Sequence, residues 1–366
     1  MKMKLIKRIG FFSALILPIL LVAGYYIGGL AIFIIHIFVF ILVPLMDYLI
    51  SKDIVNVTST DISAETKAIF YRVVTIFWVY VQLTVLFWAF YVVSTSSHSG
   101  LEWVALITGT SLVTGGVGIT VAHELGHKAE KIEQLHSKIL LMTVCYMHFY
   151  IEHNRGHHVH VATPNDPATS RFGENFYSFW LRSTIGGYLN AWELEKERLR
   201  KKNINFWSMD NEMINFTIIP VVFVLVCFVI GSIFFERVVW EIPIFFFAQS
   251  FFAFSLLEVV NYLEHYGMER KLLDTGFYER VTPIHSWNAS HVVSNFLLFQ
   301  LQRHSDHHAF AYKRYQVLNH RPESPQLPAG YSAMIIVALF PPLWFTVMNP
   351  RLEKWKQITF AKSSIQ

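Results

Sequence analysis

Six stretches of the chain are apolar enough, and long enough or nearly so, to cross a lipid bilayer, and that limits the fold more than any other feature. A spanning helix needs roughly 20 mostly apolar residues, because the hydrocarbon core is about 30 Å thick and each residue rises about 1.5 Å. The stretches run approximately over residues 11–26, 30–46, 69–93, 103–122, 216–235 and 242–262. Inside lipid every backbone N–H and C=O must be bonded within its own segment, so this pattern predicts an all-α bundle. The first two stretches are short and meet at Gly28-Gly29, which reads as a helical hairpin. Lys2, Lys4, Lys7 and Arg8 precede the first, but apolar sequence resumes directly after the glycines and Val22-Ala23-Gly24 is a poor cleavage match, so no cleavable signal is expected. Residues 139–151 are too few to span and are expected to form a buried or re-entrant helix. Residues 331–348 are interrupted by Pro341-Pro342 and are expected at the membrane interface.

Orientation follows from where Lys and Arg fall. With the N-terminus inside, the outer loops are residues 28–29, 94–102 and 236–241, and of the 30 Lys and Arg they hold only Arg237. Both termini are therefore expected in the cytoplasm, with two long cytoplasmic segments, 123–215 and 263–366. No repeat or linker divides the chain, so residues 1–366 read as a single membrane domain: six transmembrane helices with a cytoplasmic helical cap. A hydrophobic content of 53% against 15% charged residues excludes disorder. A net charge of +4 gives no reason to expect a nucleic-acid partner.

Seventeen of the residues are histidine, and nine of these fall in four short groups. His123 and His127, just past the fourth stretch, are four residues apart and so about one turn apart on one helical face. His153, His157 and His158 follow, then His265 just past the sixth stretch, then His304, His307 and His308 at one-face spacing again. A mononuclear zinc site takes three or four protein ligands, so nine candidates suffice for two metals. All four groups lie on the side that Lys and Arg alone assign to the cytoplasm. The other eight (His36, His98, His136, His148, His160, His285, His291 and His320) are read as hydrogen-bonded structural residues.

Imidazole serves Zn, Cu, Fe and Ni alike, which leaves the metal open. Two cysteines, Cys145 and Cys227, cannot build a disulfide framework or an iron–sulfur centre. Haem would call for paired histidines near mid-membrane, and a metal transporter for ligands on broken helices at the midplane. Taken alone, His123-Glu124-Leu-Gly-His127 also fits a membrane zinc protease with Glu124 as general base. That reading has no use for His304, His307 or His308.

The strings that carry these histidines are HELGHK at 123–128, EHNRGHHVHVATPNDPATSRFGE at 152–174, NYLEHYG at 261–267 and LQRHSDHH at 301–308. With RYQ at 314–316 and ESPQLPAGY at 323–331, they resemble the integral-membrane alkane 1-monooxygenases, relatives of xylene monooxygenase and more distantly of membrane fatty-acid desaturases and hydroxylases. The resemblance covers about three quarters of the chain, and NYLEHYG and LQRHSDHH favour the alkane branch. One departure follows the last histidines, where the family usually reads Ala-Asn-Pro and this chain has Ala309-Phe310-Ala311. No histidine is lost by it.

The resemblance implies a non-haem di-iron centre held by His123, His127, His153, His157, His158, His265, His304, His307 and His308. It implies O2 as co-substrate, hydroxylation of medium- and long-chain n-alkanes to primary alcohols, and electrons from rubredoxin with its reductase upstream. The setting would be a bacterial inner membrane. A terminal methyl group has no acidic proton and no electrophilic carbon, so an oxidising metal must act on it. An aromatic-methyl hydroxylase and a membrane desaturase are the same-class alternatives. Ligating histidines commonly donate their second N–H to a carboxylate or carbonyl, and Glu124, Asp166, Glu174, Glu264 and Asp306 are candidates, as is Glu152. Glu258 stands out because it lies within the sixth stretch, where a carboxylate is costly and usually functional. It shares a helix face with Asn261 and His265. Substrate would arrive through the bilayer, along a channel for which Phe38, Phe77, Trp78 and Trp88 are candidates. The basic run Arg198, Arg200, Lys201 and Lys202 suits an acidic electron carrier.

Overall fold

The computed structural model describes residues 7–50 and 52–363; Lys2 and Lys4 of the basic N-terminal run lie outside them. Six helices long and apolar enough to cross a membrane are present: α1 (Lys7–Ile27), α2 (Gly29–Leu49), α3 (Ile69–Thr95), α4 (Gly100–Gly126), α8 (Glu212–Phe234) and α9 (Glu241–His265). Between and after them come α5 (Lys131–Met142), α6 (149–160), α7 (Phe176–Lys201), α10 (His304–Ala309), α11 (Tyr331–Leu339) and α12 (Pro341–Ser363). The described residues contain no strand beyond isolated bridges. The spans extend past their apolar centres because their ends are capped by polar residues. Ser99 and Glu102 form a reciprocal capping box at α4, and Asn175 and Asn211 accept the first free amides of α7 and α8. Gly28 and Gly29 at φ 78° and 56° make the α1–α2 hairpin, a backbone region that other residues enter at a cost.

Span α4 is the axis of the bundle, and its small residues explain why. A Cβ on Gly115 would come within 2.5 Å of the Ala253 carbonyl oxygen on α9, so only glycine lets the two helices approach this closely. Residues Leu112–Ile119 of α4 and Phe38–Leu42 of α2 are wound as π-helix.

Residues 139–151 do not form one helix. α5 stops at Met142, Cys145 turns into positive φ (52°), and α6 starts at Phe149. A chain reversal buried between spans must satisfy its backbone from side chains. Gln249 of α9 donates to the Thr143 carbonyl (2.8 Å) and Gln82 of α3 donates to the Thr143 hydroxyl (2.7 Å). Thr114 of α4 in turn donates to Gln249 (2.8 Å). Three helices are pinned to one loop by polar side chains that no hydropathy profile registers. Residues 331–348 break at Phe340, and α11 and α12 are bent by 120° about that point. Trp344 of α12 is fully buried against Tyr262 and Tyr266 of α9.

The two long polar segments fold together at one end of the bundle. Glu133 of α5, with no exposure, receives both guanidinium nitrogens of Arg314 (2.8 and 3.1 Å) and Arg72 Nε of α3 (3.3 Å). Burial pushes the Glu133 pKa up, but the arginines outweigh it and hold it below its ordinary 4.5. A depressed carboxylate stabilises the fold above its unfolded pKa and loses that stabilisation as pH falls through the folded one. Resistance to thermal unfolding in detergent should therefore fall as pH drops through and below about 4.5. Glu133→Gln should lower stability at neutral pH by about 3 kcal/mol and flatten that acid limb, and an unchanged limb would remove Glu133 as its cause.

Candidate metal centre

Two groups of histidines meet where α4, α6, α9 and α10 converge. His123, His127, His153, His158 and His307 offer ring nitrogens within 4.8 Å of one another, and so do His157, His265, His304 and His308. These are the nine clustered histidines of the sequence, brought together from positions up to 185 residues apart (123 to 308). The eight others take no part. His36, for example, bonds Thr108 (2.8 Å) and His136 bonds the Ile132 carbonyl (2.7 Å).

The division between the groups follows from helix winding. His153 and His157, four apart, fall in different groups, while His153 and His158, five apart, share one with Nε2 atoms 3.0 Å apart. Residues His153–His157 are π-helix, whose bonds join i to i+5, so a spacing of five returns to the same face. In α10 the ordinary i, i+4 rule pairs His304 with His308 and turns His307 to the other group.

The nitrogens fit a bound cation. At a metal–nitrogen distance of about 2.1 Å, neighbouring ligands stand about 3.0 Å apart at right angles and about 3.4 Å in a tetrahedron. The Nε2 pairs His123–His127, His127–His153 and His158–His307 measure 3.3, 3.1 and 3.2 Å, and His157–His308 and His265–His304 measure 3.2 and 3.1 Å. Burial, with the mutual repulsion of neighbouring rings, holds the pKa of His153, His158, His304, His307 and His308 well below the histidine range. Neutral rings keep the lone pair that a metal needs. His157 differs: burial opposes its charge too, but the Asp166 carboxylate 2.8 Å from Nδ1 raises its pKa. That bond fixes Nδ1 as the protonated nitrogen and leaves Nε2 for the cation.

Of the carboxylates expected to orient the rings, only Asp166 bonds the outer nitrogen of a histidine in the two groups. Glu264 instead reaches the cation side, with Oε2 3.2 Å from His304 Nε2 and Oε1 accepting from Tyr331 (2.6 Å). It can therefore hold a metal itself. Glu124 is taken by Lys128 (2.9 Å) and the Tyr315 amide (3.3 Å), which removes the general base a zinc protease would require. Glu152 meets Asn190 (3.3 Å), Glu174 is clamped by Arg182 (2.6 Å), and Asp306 receives Lys313 (2.9 Å) and Arg321 (2.6 Å). Glu258 is bonded by Tyr146 (2.8 Å) and Asn261 (3.4 Å), not by a histidine. For Glu124, Glu152 and Asp306 the reason is geometric: successive helical residues point about 100° apart, so each faces away from its neighbouring ligand, whereas Glu264 beside His265 turns toward His304.

A cavity of about 950 Å³ runs from the groups into the bundle. Leu17, Val39, Phe40, Leu112 and Leu256 line it, and His123, His153, His304 and Glu264 stand in its wall. Phe40, Leu112, Leu256 and Ile335 also line a wider cleft of about 1370 Å³ at the bundle flank, with Phe251 and Phe252. None of Phe38, Phe77, Trp78 and Trp88 lines either space. Phe77 faces outward, Trp78 is buried against Gln82 (3.2 Å), and Trp88 packs on Tyr25. Aromatic content could not reveal which helix face turns inward, and the cavity wall is mostly aliphatic.

Residues 101–338 match the fatty acid desaturase family. Among characterised proteins, the chain is 43% identical over 320 residues to alkane 1-monooxygenase 2 of Alcanivorax borkumensis, covering 87% of this chain and 82% of that one. It is 44% identical over 321 residues to alkane 1-monooxygenase 2 of Pseudomonas aeruginosa, covering 87% and 83%. The hydroxylase component of a xylene/toluene monooxygenase of Pseudomonas putida is 27% identical over 259 residues, covering 70% and 66%. Identity at this level across a multi-pass, histidine-rich membrane chain leaves one assignment: it belongs to the alkane 1-monooxygenase family.

Proposed function

We propose that this protein hydroxylates the terminal carbon of medium- and long-chain n-alkanes to primary alcohols, with O2 as co-substrate, at two iron ions held by the nine histidines. The observation that carries the reading is the aliphatic cavity of about 950 Å³ with His123, His153 and His304 in its wall. Such a space offers an alkane mainly apolar burial, with its polar groups gathered at the histidine end where a chain end would meet the nitrogens. When bound, the irons would supply the oxidising power that an unactivated C–H bond demands.

The remaining work falls to the protein's own side chains. The cleft beside Phe251 and Phe252 receives an alkane from the hydrocarbon core of the bilayer. The shared residues Phe40, Leu112, Leu256 and Ile335 form the neck through which it passes. Aliphatic walls exclude water from the reacting carbon, and Asp166 keeps the His157 ring in the ligating tautomer. The positive-inside distribution of Lys and Arg puts the histidine end and both termini in the cytoplasm of a bacterial inner membrane, within reach of a soluble donor. Rubredoxin, with its reductase upstream, is that donor. The basic run at the end of α7 is partly compensated, with Arg198 on Glu195 (2.6 Å) and Lys201 on Glu197 (2.7 Å), so Arg200 and Lys202 are the charges offered to it.

The direct test supplies iron-loaded protein with rubredoxin, reductase, n-octane or n-hexadecane, and oxygen-18 gas. The label should appear in the 1-alkanol, and an unlabelled or absent alcohol overturns the reading. Asp166→Ala should weaken one of two bound irons by about 10- to 100-fold in a graded chelator titration followed by metal analysis, while the second ion stays. Loss of both together would contradict the division into two groups. Ile335→Trp, which narrows the neck, should cut kcat/KM for n-hexadecane by about tenfold or more at unchanged iron content, and equal activity with wild type would remove the neck from the substrate path.

A further inference from the structure

Beside the histidines, on the side away from the aliphatic neck, lies a second space of quite different character. Its volume is about 300 Å³, and Glu258, Tyr146, Asn261 and Ser183 line it with Glu152, His153 and His157. Phe149, His153 and Asn261 line both this chamber and the aliphatic cavity, so they form the wall between the two. Tyr146 and His148 also border a groove of about 980 Å³ that includes Thr184, Tyr188 and Thr217, between α7, α8 and α9. The groove is otherwise mostly apolar, so Thr184, Tyr146 and His148 are the polar groups that mark a way from the bundle flank to the histidines outside the aliphatic cavity.

Glu258 stands in the middle of that route. It is 2% exposed and sits two turns before His265 on α9. Its two oxygens are treated unequally. Oε1 accepts from the Tyr146 hydroxyl at 2.8 Å and from Asn261 Nδ2 at 3.4 Å, while Oε2 makes no well-formed hydrogen bond among the described residues, with the Ser183 hydroxyl beside the carboxyl group. A buried carboxyl oxygen so loosely held, facing a small polar chamber with room for about one water, is placed to carry and pass a proton.

We propose that Glu258 is the proton-delivering residue of the site, taking protons from the groove by way of Tyr146 and His148 and giving them to water in the chamber beside His153 and His157. Hydroxylation needs such a supply: one O2, one C–H bond, two electrons and two protons become one alcohol and one water. The electrons come from a one-electron carrier protein, and the one acid in the wall of the aliphatic cavity, Glu264, is engaged by Tyr331 and by His304. In each transfer the Oε2–H bond breaks, its electron pair stays on the carboxylate, and the proton leaves through chamber water. A second proton from the groove then restores the acid.

The alternative is that Glu258 only ties the 143–148 reversal to α9 through Tyr146. Glu258→Gln separates the two, because the amide keeps an acceptor for Tyr146 but carries no transferable proton. The expected result is wild-type iron content and thermal midpoint, with alcohol formed per electron consumed lowered about 100-fold and the diverted electrons released as superoxide, whose formation needs no proton. Glu258→Asp should restore part of the coupling. On metal-free protein, infrared difference spectra should show a buried carboxylic C=O band that shifts in D2O and is missing from Glu258→Gln. Full coupling in Glu258→Gln, loss of its iron, or an unchanged infrared band would each overturn the assignment. The inference rests on the proposed hydroxylation, and the wild-type control keeps the two apart: no alkanol from wild type overturns the function, while an unaffected variant overturns only the proton route.

Discussion

The structure is organised around a frustration that only a cation relieves. Nine imidazoles gather at one end of the bundle, all buried except the half-buried His127 and His158, and their nitrogens face one another at 3.0–3.3 Å. Neutral rings meeting lone pair to lone pair cannot all hydrogen-bond, and charging them together in so dry a place is worse. The surrounding polypeptide must hold that arrangement against its own repulsion, which explains the density of ionic bracing just outside it. Arg303, 1% exposed, bonds Asp53 from 250 residues away (3.0 Å), and Asp306 is shared by Lys313 and Arg321. Such buried pairs add little net stability, but losing one partner costs several kcal/mol, so they fix position more than they add strength.

The aliphatic cavity and the polar chamber divide the site between oil and water. A reaction that joins a hydrocarbon to oxygen has to admit a greasy chain on one side and ions on the other without letting them mix. Here the partition is a few side chains thick, formed by Phe149, His153 and Asn261. Both compartments descend from the same choice on α9: successive faces of that helix present Leu256 and Val260 to the cavity and Glu258 to the chamber.

Hydropathy and charge made much of this legible. The six spans, the hairpin at Gly28-Gly29 and the nine histidines can be read from the residues because each rests on a local rule: length against bilayer thickness, φ at glycine, and side-chain chemistry. What could not be read depends on winding or on partners distant in sequence. The five-residue step from His153 to His158 shares a face only because that turn is π-helical. Acids next to the histidines looked like their natural partners, yet Glu124, Glu174 and Asp306 turned to Lys128, Arg182 and Lys313. The substrate space was sought among aromatic residues and is walled by Leu17, Val39, Leu112 and Leu256. Residues 139–151 looked helical throughout because nothing local announces the Gln82 and Gln249 amides that stabilise their reversal.

The π-wound stretch Leu112–Ile119 of α4 constrains how this family member can diverge. A widened turn of this kind is equivalent to one extra residue accommodated within an otherwise regular helix. Removing the extra residue there would return the helix to ordinary winding with its flanks in register, whereas removing one from the regular turns on either side would rotate everything beyond by about 100°. His123 and His127 lie immediately beyond, so they would swing away from their companions on α6 and α10. Substitutions at Leu112, Val117 and Ile119 can reshape the cavity, whereas Gly115 and Gly118 are held by their close contacts with Ala253 and Gln82, and the residue count of the flanking turns by the register of the histidines that follow.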